Sequence, residues 1–327
     1  MPKTTKPRSG SMGVWPRKRA KRLVARVRNY SQTKEPNMLG FAAYKAGMTH
    51  THVLGQDKKK IDAGIERFTP VTILECPPMK LASARFYSKV GTALQVKKQI
   101  NFKVDKELSR AQTMNLKKSN EKELDNVKAS DFDEIRVQVY TLPKVAGIKK
   151  TPEIFELQLS GSVEDKLEFV KKHHASQVKI SDIFKEGQLV DAHAVTTGKG
   201  FKGPIKRFGI GRTSHKSEKS RRTPGSMGPW RGWAHWMFRV PKAGQTGFHQ
   251  RLQNNNLIMK ISDKPEEINP KGGFMRYGEV GTTYVMIKGS LPGPKKRLIT
   301  LTHPMKGKKA GQFSSDSITY ISKESKQ

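Results

Sequence analysis

The sequence has a single cysteine, Cys76, which excludes an internal disulfide and any zinc cluster built from cysteines. It also lacks an apolar run approaching the roughly 18 residues of a membrane span. Residues 1–20 are basic and contain no apolar segment of the kind found in signal peptides. We therefore expect a cytoplasmic protein that works in a reducing compartment.

Acidic residues are scarce in three stretches of the chain, which has 63 Lys and Arg against 28 Asp and Glu and a net charge of +35. Residues 1–35 have eleven basic residues and one acid, residues 198–251 have thirteen and one, and residues 290–327 have eight and two. The rest of the chain has 31 basic and 24 acidic residues. This pattern predicts a near-neutral globular body with basic extensions that bind a polyanion.

Residues 198–251 have the composition of an RNA-binding segment. They contain ten glycines, a single acid (Glu218), and three tryptophans within seven residues, Trp230, Trp233 and Trp236. Lys and Arg neutralise phosphate, glycine permits close backbone approach, and flat aromatic rings stack on unpaired bases. Because no apolar period runs through the segment, we expect it to be stabilised by a partner rather than by a core of its own.

The near-neutral body shows the pattern of a mainly β fold. Short apolar or alternating stretches predict strands at residues 39–43, 71–76, 135–140, 189–195, 257–261, 283–287, 298–301 and 318–321. Many short strands without regularly alternating helices favour a β-barrel over a doubly wound sheet. Ser162 and the acids after it predict a helix to about His174, and apolar spacing predicts another over residues 104–127.

These patterns divide the chain into four parts. Residues 1–35 form a basic N-terminal extension, and residues 36–197 form the first part of the barrel, with helical insertions at about 97–134 and 150–180. Residues 198–251 form a central extension between two strands, where so long a loop is normally functional. Residues 252–327 complete the barrel and end in a basic stretch.

Gly198–Gly203 matches the glycine pattern of a dinucleotide site, G-x-G-x-x-G. Such a site needs a helix that opens at the glycines and an acid at the end of the next strand. We expect neither here, because Pro204 follows at once and Glu218 is the nearest acid. The pattern favours a glycine loop that lies close to RNA.

Three histidines in the basic segment, His215, His235 and His249, raise the alternatives of a zinc site or acid–base catalysis. Their spacing fits no helical histidine pair, and almost no carboxylate is near to orient an imidazole. Hydrogen bonding to RNA is the interpretation that we favour. The remaining histidine pairs, His50/His52 and His173/His174, are interpreted as surface or sheet residues.

An acidic group formed by Asp131, Asp133 and Glu134 resembles a nuclease metal site in composition. Charged turns before a strand are common, and we favour that interpretation.

The tryptophans and the N-terminal arm each allow two interpretations. The tryptophans could form a small hydrophobic cluster, but neighbouring glycines and prolines leave little to pack on, which favours a tip that stacks on nucleotides. The arm could be a solvated tail or a localisation signal. Trp15 before its basic run, and its direct entry into the first predicted strand, favour an arm that is ordered on RNA.

Several motifs, taken in order along the chain, resemble one family. They are Ser9–Met12 with Pro16–Ala20, then Gly40–His50 (GFAAYKAGMTH), Gly225–Trp230 (GSMGPW) and Ala243–Arg251 (AGQTGFHQR). The chain resembles the universal L-three protein family of the large ribosomal subunit, in its archaeal or eukaryotic form. The similarity extends over nearly the whole chain, and the glycine- and tryptophan-bearing segment is its most specific part.

The resemblance implies a fold and a function. Members of this family have a β-barrel of the type shared with translation factors, an N-terminal extension, and a long central extension whose tryptophan-bearing tip approaches the peptidyl transferase centre. They bind large-subunit RNA early in assembly. Trp230 would lie at the tip, although Arg231-Gly232-Trp233 replaces the family's usual His-Pro-Ala, so Trp233 and Trp236 remain candidates for the same role.

We expect a non-enzymatic protein whose partners are large-subunit ribosomal RNA and neighbouring ribosomal proteins, without a cofactor, metal, membrane or small-molecule substrate. The alternatives are an RNA-processing or RNA-modifying enzyme with a basic groove, and an architectural binder of any nucleic acid. The residues predicted to bind RNA are Arg17, Lys18, Arg19, Lys21, Arg22, Lys199, Lys202, Lys206, Arg207, Arg212, His215, Lys216, Arg221, Arg222, Trp230, Arg231, Trp233, His235, Trp236, Arg239, Lys242, His249 and Arg251.

Overall fold

The computed structural model of the protein describes residues 7–33, 35–55, 63–111, 119–217, 220–225, 240–307 and 313–324. The chain divides into two compact units. We call Val24–Ala194 with Leu252–Gln327 the core unit, and Met1–Leu23 with Val195–Arg251 the basic unit. In the part of the chain that is described, no helix has the length and apolar character needed to cross a membrane.

Strands dominate the described residues, which confirms the prediction of a mainly β chain. The strands are β1 (Gly40–Leu54), β2 (Glu66–Glu75), β3 (Met79–Val90), β4 (Ala93–Asn101), β5 (Glu134–Thr141), β6 (Ile154–Gln158), β7 (Gln177–Val178), β8 (Leu189–Val195), β9 (Phe201–Lys202), β10 (Gly244–Gln245), β11 (Gln250–Ser262), β12 (Tyr284–Lys288), β13 (Leu298–Thr302) and β14 (Ile318–Ile321). The α-helices are α1 (Val163–His173) and α2 (Pro204–Phe208). Every predicted strand overlaps one of these strands.

Six strands of the core unit form a closed ring. Their hydrogen-bonded order is β13, β8, β11, β12, β2 and β1, and β1 pairs again with β13. The closing contact joins Gly40–Tyr44 of β1 to Leu298–Thr302 of β13 in antiparallel register. Closure leaves no unpaired edge among the six strands. The chain leaves this ring through β8 and returns to it through β11.

A second sheet covers part of the same core. It has the order β4, β3, β5 and β6, with β7 paired to β3. Phe41 and Leu301 of the ring belong to one continuous buried cluster with Phe86 and Val137 of the second sheet. Because apolar residues of both sheets share this cluster, the core unit has the two-layer organisation typical of a stable domain.

The sequence does not predict β3, because a register shift breaks its alternation. The pairing of β3 with β5 slips between Leu81 and Ser83. Such a bulge places an extra residue in one strand, so apolar side chains before and after it no longer follow a single period of two. Both faces of β3 are also largely buried, which removes the polar half of the expected pattern.

One predicted helix is confirmed and the other is wrong over the described residues. Helix α1 begins after Ser162, whose side chain and that of Asp165 form a reciprocal capping box. Hydrogen bonds from Ser162 lower the pKa of Asp165. Within 104–127, the described residues form two short 3₁₀ segments, Lys106–Arg110 and Glu121–Leu124, and neither has the side-chain cap that begins α1. Residues 112–118 lie outside the described part.

Two charged side chains inside the core unit are satisfied by the backbone. The Lys45 ammonium donates to the carbonyl oxygens of Leu291, at 2.6 Å, and Gly293, at 3.3 Å, and burial lowers its pKa. The fully buried Glu75 carboxylate accepts from the amides of Gly281 and Thr282, each at 3.0 Å. It also accepts from the hydroxyls of Thr282 and Tyr277, and burial raises the pKa of that tyrosine. Glu75 thus fixes the loop before β12 to the end of β2.

Replacing Glu75 should therefore destabilise the core unit. We expect Glu75→Ala to lower the free energy of unfolding by roughly 3 kcal/mol, because several buried donors lose their acceptor at once. Urea unfolding of the full chain measures the change. The exposed Asp131→Ala is the matched control and should shift stability by less than about 0.5 kcal/mol. Equal effects of the two substitutions would contradict this role.

Candidate nucleic-acid interface

The basic unit is built on two chain segments that run antiparallel to each other. The amide of Lys199 donates to the carbonyl of Thr246, and the amide of Thr246 donates to the carbonyl of Gly200, both at 2.9 Å. The ladder continues through β9 and β10. Thr196 and Phe248 extend it with further backbone hydrogen bonds. The outgoing and returning limbs of the central segment are therefore held together close to the strands from which they leave.

A glycine is required within this ladder. Gly247 has a φ of +72°, which side-chain-bearing residues rarely adopt. A Cβ at this position would also overlap the carbonyl oxygen of Thr197. The positive φ and the close approach together explain why glycine stands here.

The N-terminal arm packs on helix α2. The indole of Trp15 stacks on the ring of Phe208 with centroids 5.8 Å apart and an interplanar angle of 21°. The guanidinium of Arg17 lies 4.7 Å from the centroid of the same ring. Phe208 is buried as a result. The sequence suggested that this segment has no core of its own, but its described residues form a small aromatic and cationic centre with the arm.

Arg207 joins three parts of the unit. Its guanidinium donates to the carbonyl oxygens of Gln245 and Lys242, both at 3.0 Å, and to that of Arg17 at 3.2 Å. Burial and the nearby Arg17 lower the pKa of Arg207. The sequence predicts Arg207 to bind RNA, but the structure shows its donors directed at backbone carbonyls.

His249 joins the returning limb to the arm as a neutral imidazole. The amide of Gly247 donates to Nε2 at 3.1 Å, so Nε2 carries no proton. Nδ1 then carries the proton and donates to the carbonyl oxygen of Lys18, at 2.9 Å. Burial, together with the positive charges of Arg251, Arg17 and Arg207, lowers the pKa of His249, although the Lys18 carbonyl opposes the shift.

The remaining predicted residues differ in exposure. Eleven of the predicted residues are exposed in the described part of the unit: Lys18, Arg19, Lys21, Arg22, Lys199, Lys206, Arg212, His215, Lys216, Arg221 and Arg222. Partly buried ones are Arg17, Lys202, Arg207, Lys242 and Arg251. Outside the described residues lie Trp230, Arg231, Trp233, His235, Trp236 and Arg239.

No carboxylate accompanies these cations in the described part of the basic unit, since its one acid in sequence, Glu218, lies outside that part. Closely spaced guanidinium and ammonium groups repel one another, and the described residues of the unit include no acidic side chain to offset this repulsion. The surface is therefore electrostatically suited to an extended polyanion such as a phosphate backbone.

The glycine pattern at Gly198–Gly203 does not form a dinucleotide site. A helix does begin here, at Pro204, which the sequence did not lead us to expect. That helix, α2, has only five residues. The Lys199 amide, which would have to face a pyrophosphate, instead donates to Thr246. The loop thus uses its backbone to hold the two limbs together.

The acidic group before β5 has structural partners. A carboxylate oxygen of Asp133 accepts from the amide of Lys89 at 2.6 Å. Glu134 forms an ion pair with Arg136, with Oε1 2.8 Å from Nε. Both acids thus bind groups on the second sheet, as the interpretation of a charged turn before a strand implies.

Comparisons with known proteins agree with these features. The model of the family described as ribosomal protein L3 matches residues 1–327. A protein from Archaeoglobus fulgidus named large ribosomal subunit protein uL3 is 39% identical over 327 residues, covering 98% of each chain. Proteins of the same name from Methanococcus vannielii and Methanothermobacter thermautotrophicus are 41% and 42% identical, over 99% and 98% of this chain and 98% of each relative. With the family model matched from end to end, the chain belongs to the ribosomal protein L3 family.

Proposed function

We propose that this chain is a structural constituent of the large ribosomal subunit and binds large-subunit ribosomal RNA directly. As a member of the ribosomal protein L3 family it is a ribosomal protein and not an enzyme. The assignment to the large subunit comes from the name of its relatives, large ribosomal subunit protein uL3. The observation that carries the proposal is the layer formed by the eleven exposed side chains predicted to bind RNA, with no carboxylate among the described residues of the basic unit.

Binding RNA would relieve the repulsion within this layer. Each phosphate that approaches a lysine or arginine adds an opposite charge beside it, which offsets the repulsion from neighbouring cations, and releases condensed counterions from the RNA. The flexible ammonium of Lys and the forked guanidinium of Arg supply phosphate contacts of two kinds. Because such contacts follow the backbone, they position the protein on structured RNA without reading base sequence.

The hydrogen bonds of Arg207 and His249 prepare the unit for this binding. Both side chains fix the backbone of the N-terminal arm, at Arg17 and Lys18, to the central segment. Lys18 and Arg19 therefore project from an ordered backbone, which reduces the conformational entropy lost when RNA binds. In this proposal the arm and the central segment act as one RNA-binding surface.

The core unit serves as the anchor from which this surface extends. The proposal includes a barrel of the type shared with translation factors, to which the closed six-strand ring lends support. It also includes a central extension that reaches toward the peptidyl transferase centre, with Trp230, Trp233 or Trp236 at its tip. These tryptophans lie outside the described residues, and their role rests on the family resemblance. Binding early in assembly is part of the same proposal.

Neutralising the exposed arm should weaken binding to large-subunit RNA. We expect the quadruple variant Lys18→Gln, Arg19→Gln, Lys21→Gln and Arg22→Gln to reduce the slope of log K against log salt by about 3, because four phosphate contacts are lost. Filter binding to large-subunit RNA across a salt series measures the slope. The matched control neutralises four exposed lysines of the core unit, Lys97, Lys122, Lys128 and Lys172, and should leave the slope nearly unchanged.

Duplex DNA of equal length tests the alternative of an architectural nucleic-acid binder. The proposal predicts a preference of at least about tenfold for large-subunit RNA at fixed salt, since charge alone gives little discrimination. Equal affinities would favour the architectural alternative. Failure of the protein to co-sediment with large subunits in moderate salt would overturn the proposed function.

Lowering the pH should loosen the junction that His249 makes. Its pKa in the folded chain lies below the value of about 6.5 for an unfolded histidine. The stabilisation is therefore fully present above about pH 6.5 and is lost as the pH falls through the lowered pKa. Protonation of Nε2 removes the acceptor of the Gly247 amide.

Hydrogen exchange of the Gly247 amide, corrected for intrinsic rates, should report this loss as decreasing protection at low pH. In His249→Ala the protection should be weak at every pH. Protection of the wild-type amide that stays constant from pH 7 to about 4 would rule out the neutral imidazole as the fastening group.

Removing the tip tryptophan should separate binding from function. We expect Trp230→Ala to keep overall RNA affinity within about twofold, because phosphate contacts dominate affinity. The same variant should impair subunit maturation or peptide synthesis, measured by sucrose-gradient profiles and by translation in extracts. A large loss of RNA affinity with normal translation would reverse this assignment.

A further inference from the structure

Three strands of the core unit extend beyond the closed ring. The second half of β1 continues its pairing with β2 as far as Leu54 and Glu66, and β14 pairs with β1 on the other side through Thr51–Val53. Val53, Ile318 and Ile321 pack against a buried cluster of the core unit. Because neighbouring strand residues point to opposite faces, His50 and His52 lie on the other face of this sheet.

Four aromatic rings lie together on that second face. His52 is the direct cross-strand neighbour of Phe68 on β2 and of Tyr320 on β14. The ring of His50 stacks on Phe68 with centroids 4.6 Å apart and an interplanar angle of 29°. His52 and Tyr320 have centroids 5.3 Å apart. We call these four residues the aromatic platform.

The aromatic platform is open to solvent. Phe68 is 66% exposed and Tyr320 is 45% exposed. Apolar ring surface in contact with water costs free energy that is recovered when a partner covers it, so a cluster of such rings at the surface typically marks a binding site. From the sequence, His50 and His52 are interpreted as surface or sheet residues, and the register of β2 and β14 adds the neighbours Phe68 and Tyr320 that complete the cluster.

The chemistry of the cluster favours nucleobases over an apolar protein surface. Two imidazoles and a phenol place nitrogen and oxygen atoms at the ring edges, where bases carry hydrogen-bonding groups. Glu66, a carboxylate beside the rings, faces His52 with Nδ1 3.5 Å from its oxygen. β14 belongs to the basic stretch 290–327, which has eight basic residues against two acidic ones, and this charge favours a polyanion such as RNA over a basic protein.

We propose that the aromatic platform binds unpaired RNA bases by stacking, at a site of the core unit that the basic unit does not supply. Aromatic rings displayed on the open face of a sheet are a recurrent means of binding single-stranded RNA, and such a face holds about two or three bases. Four rings on three adjacent strands offer enough stacking surface for that number of bases. This inference rests on the proposed function, since it assumes that the chain binds RNA.

The test compares a base-bearing oligonucleotide with an abasic one of equal length. The probes are oligoadenylate of about eight nucleotides and its abasic analogue, titrated into the full-length chain at fixed salt. We expect Phe68→Ala with Tyr320→Ala to weaken oligoadenylate binding about tenfold, since stacked bases are lost. Binding of the abasic analogue should change by less than about twofold. Any contribution of the tryptophans cancels, because both proteins contain them.

Two control variants isolate the rings. Phe68→Tyr with Tyr320→Phe keeps both rings and should keep wild-type affinity for oligoadenylate. Leu94→Ala with Val96→Ala removes exposed apolar side chains from β4 and should leave both affinities unchanged. Thermal unfolding of each variant checks that the core unit is intact.

Each remaining outcome overturns the inference. Equal losses for both oligonucleotides would mean that the rings act through fold or charge, and no loss would mean that they do not meet bases. Loss of binding to a ribosomal protein, with oligonucleotide affinities unchanged, would assign the surface to a protein partner. If the variant binds large-subunit RNA like the wild type and shows no ring-dependent preference for bases, only the inference about the aromatic platform is rejected. If the protein binds no RNA at all, the proposed function is rejected as well.

Discussion

Backbone groups, rather than side chains of opposite charge, satisfy three charged side chains that hold this protein together, Arg207, Lys45 and Glu75. In the basic unit the Arg207 guanidinium donates to three carbonyl oxygens, and in the core unit the Lys45 ammonium donates to two. Glu75 carries the opposite charge, and its carboxylate accepts hydrogen bonds from backbone amides. A charge removed from water must find such partners, because its desolvation cost is otherwise several kcal/mol.

This constraint links structure to function in the basic unit. Carboxylate partners would have cancelled the charge that phosphate requires, whereas carbonyl partners order the arm and leave the net positive charge intact. The exposed lysines and arginines can then act on RNA from a backbone that is already ordered. The core unit has a different role, which is to fold without RNA. Its closed ring and second sheet share one apolar cluster that needs no partner to form.

Local sequence patterns predicted much of the secondary structure, and they failed where contacts with distant segments determine it. Helix α1 could be predicted because Ser162, its acids and its apolar spacing all lie within one short stretch. Strand β3 could not, because a bulge and burial on both faces hide its period. The helix predicted over residues 104–127 was wrong over the described residues, where two short 3₁₀ segments form without the side-chain cap that begins α1.

The sequence by itself determined that the chain is mainly β, that its charge is concentrated in a few stretches, and that its motifs resemble one ribosomal family. These properties are carried by composition and by neighbouring residues, which remain the same however the chain folds. Only the tertiary structure decided that Arg207 and His249 hold the arm, and that His50 and His52 join Phe68 and Tyr320 in one surface. The first contacts join the arm to residues about 190 and 231 positions away, and the register of β1 with β2 and β14 produces the second set.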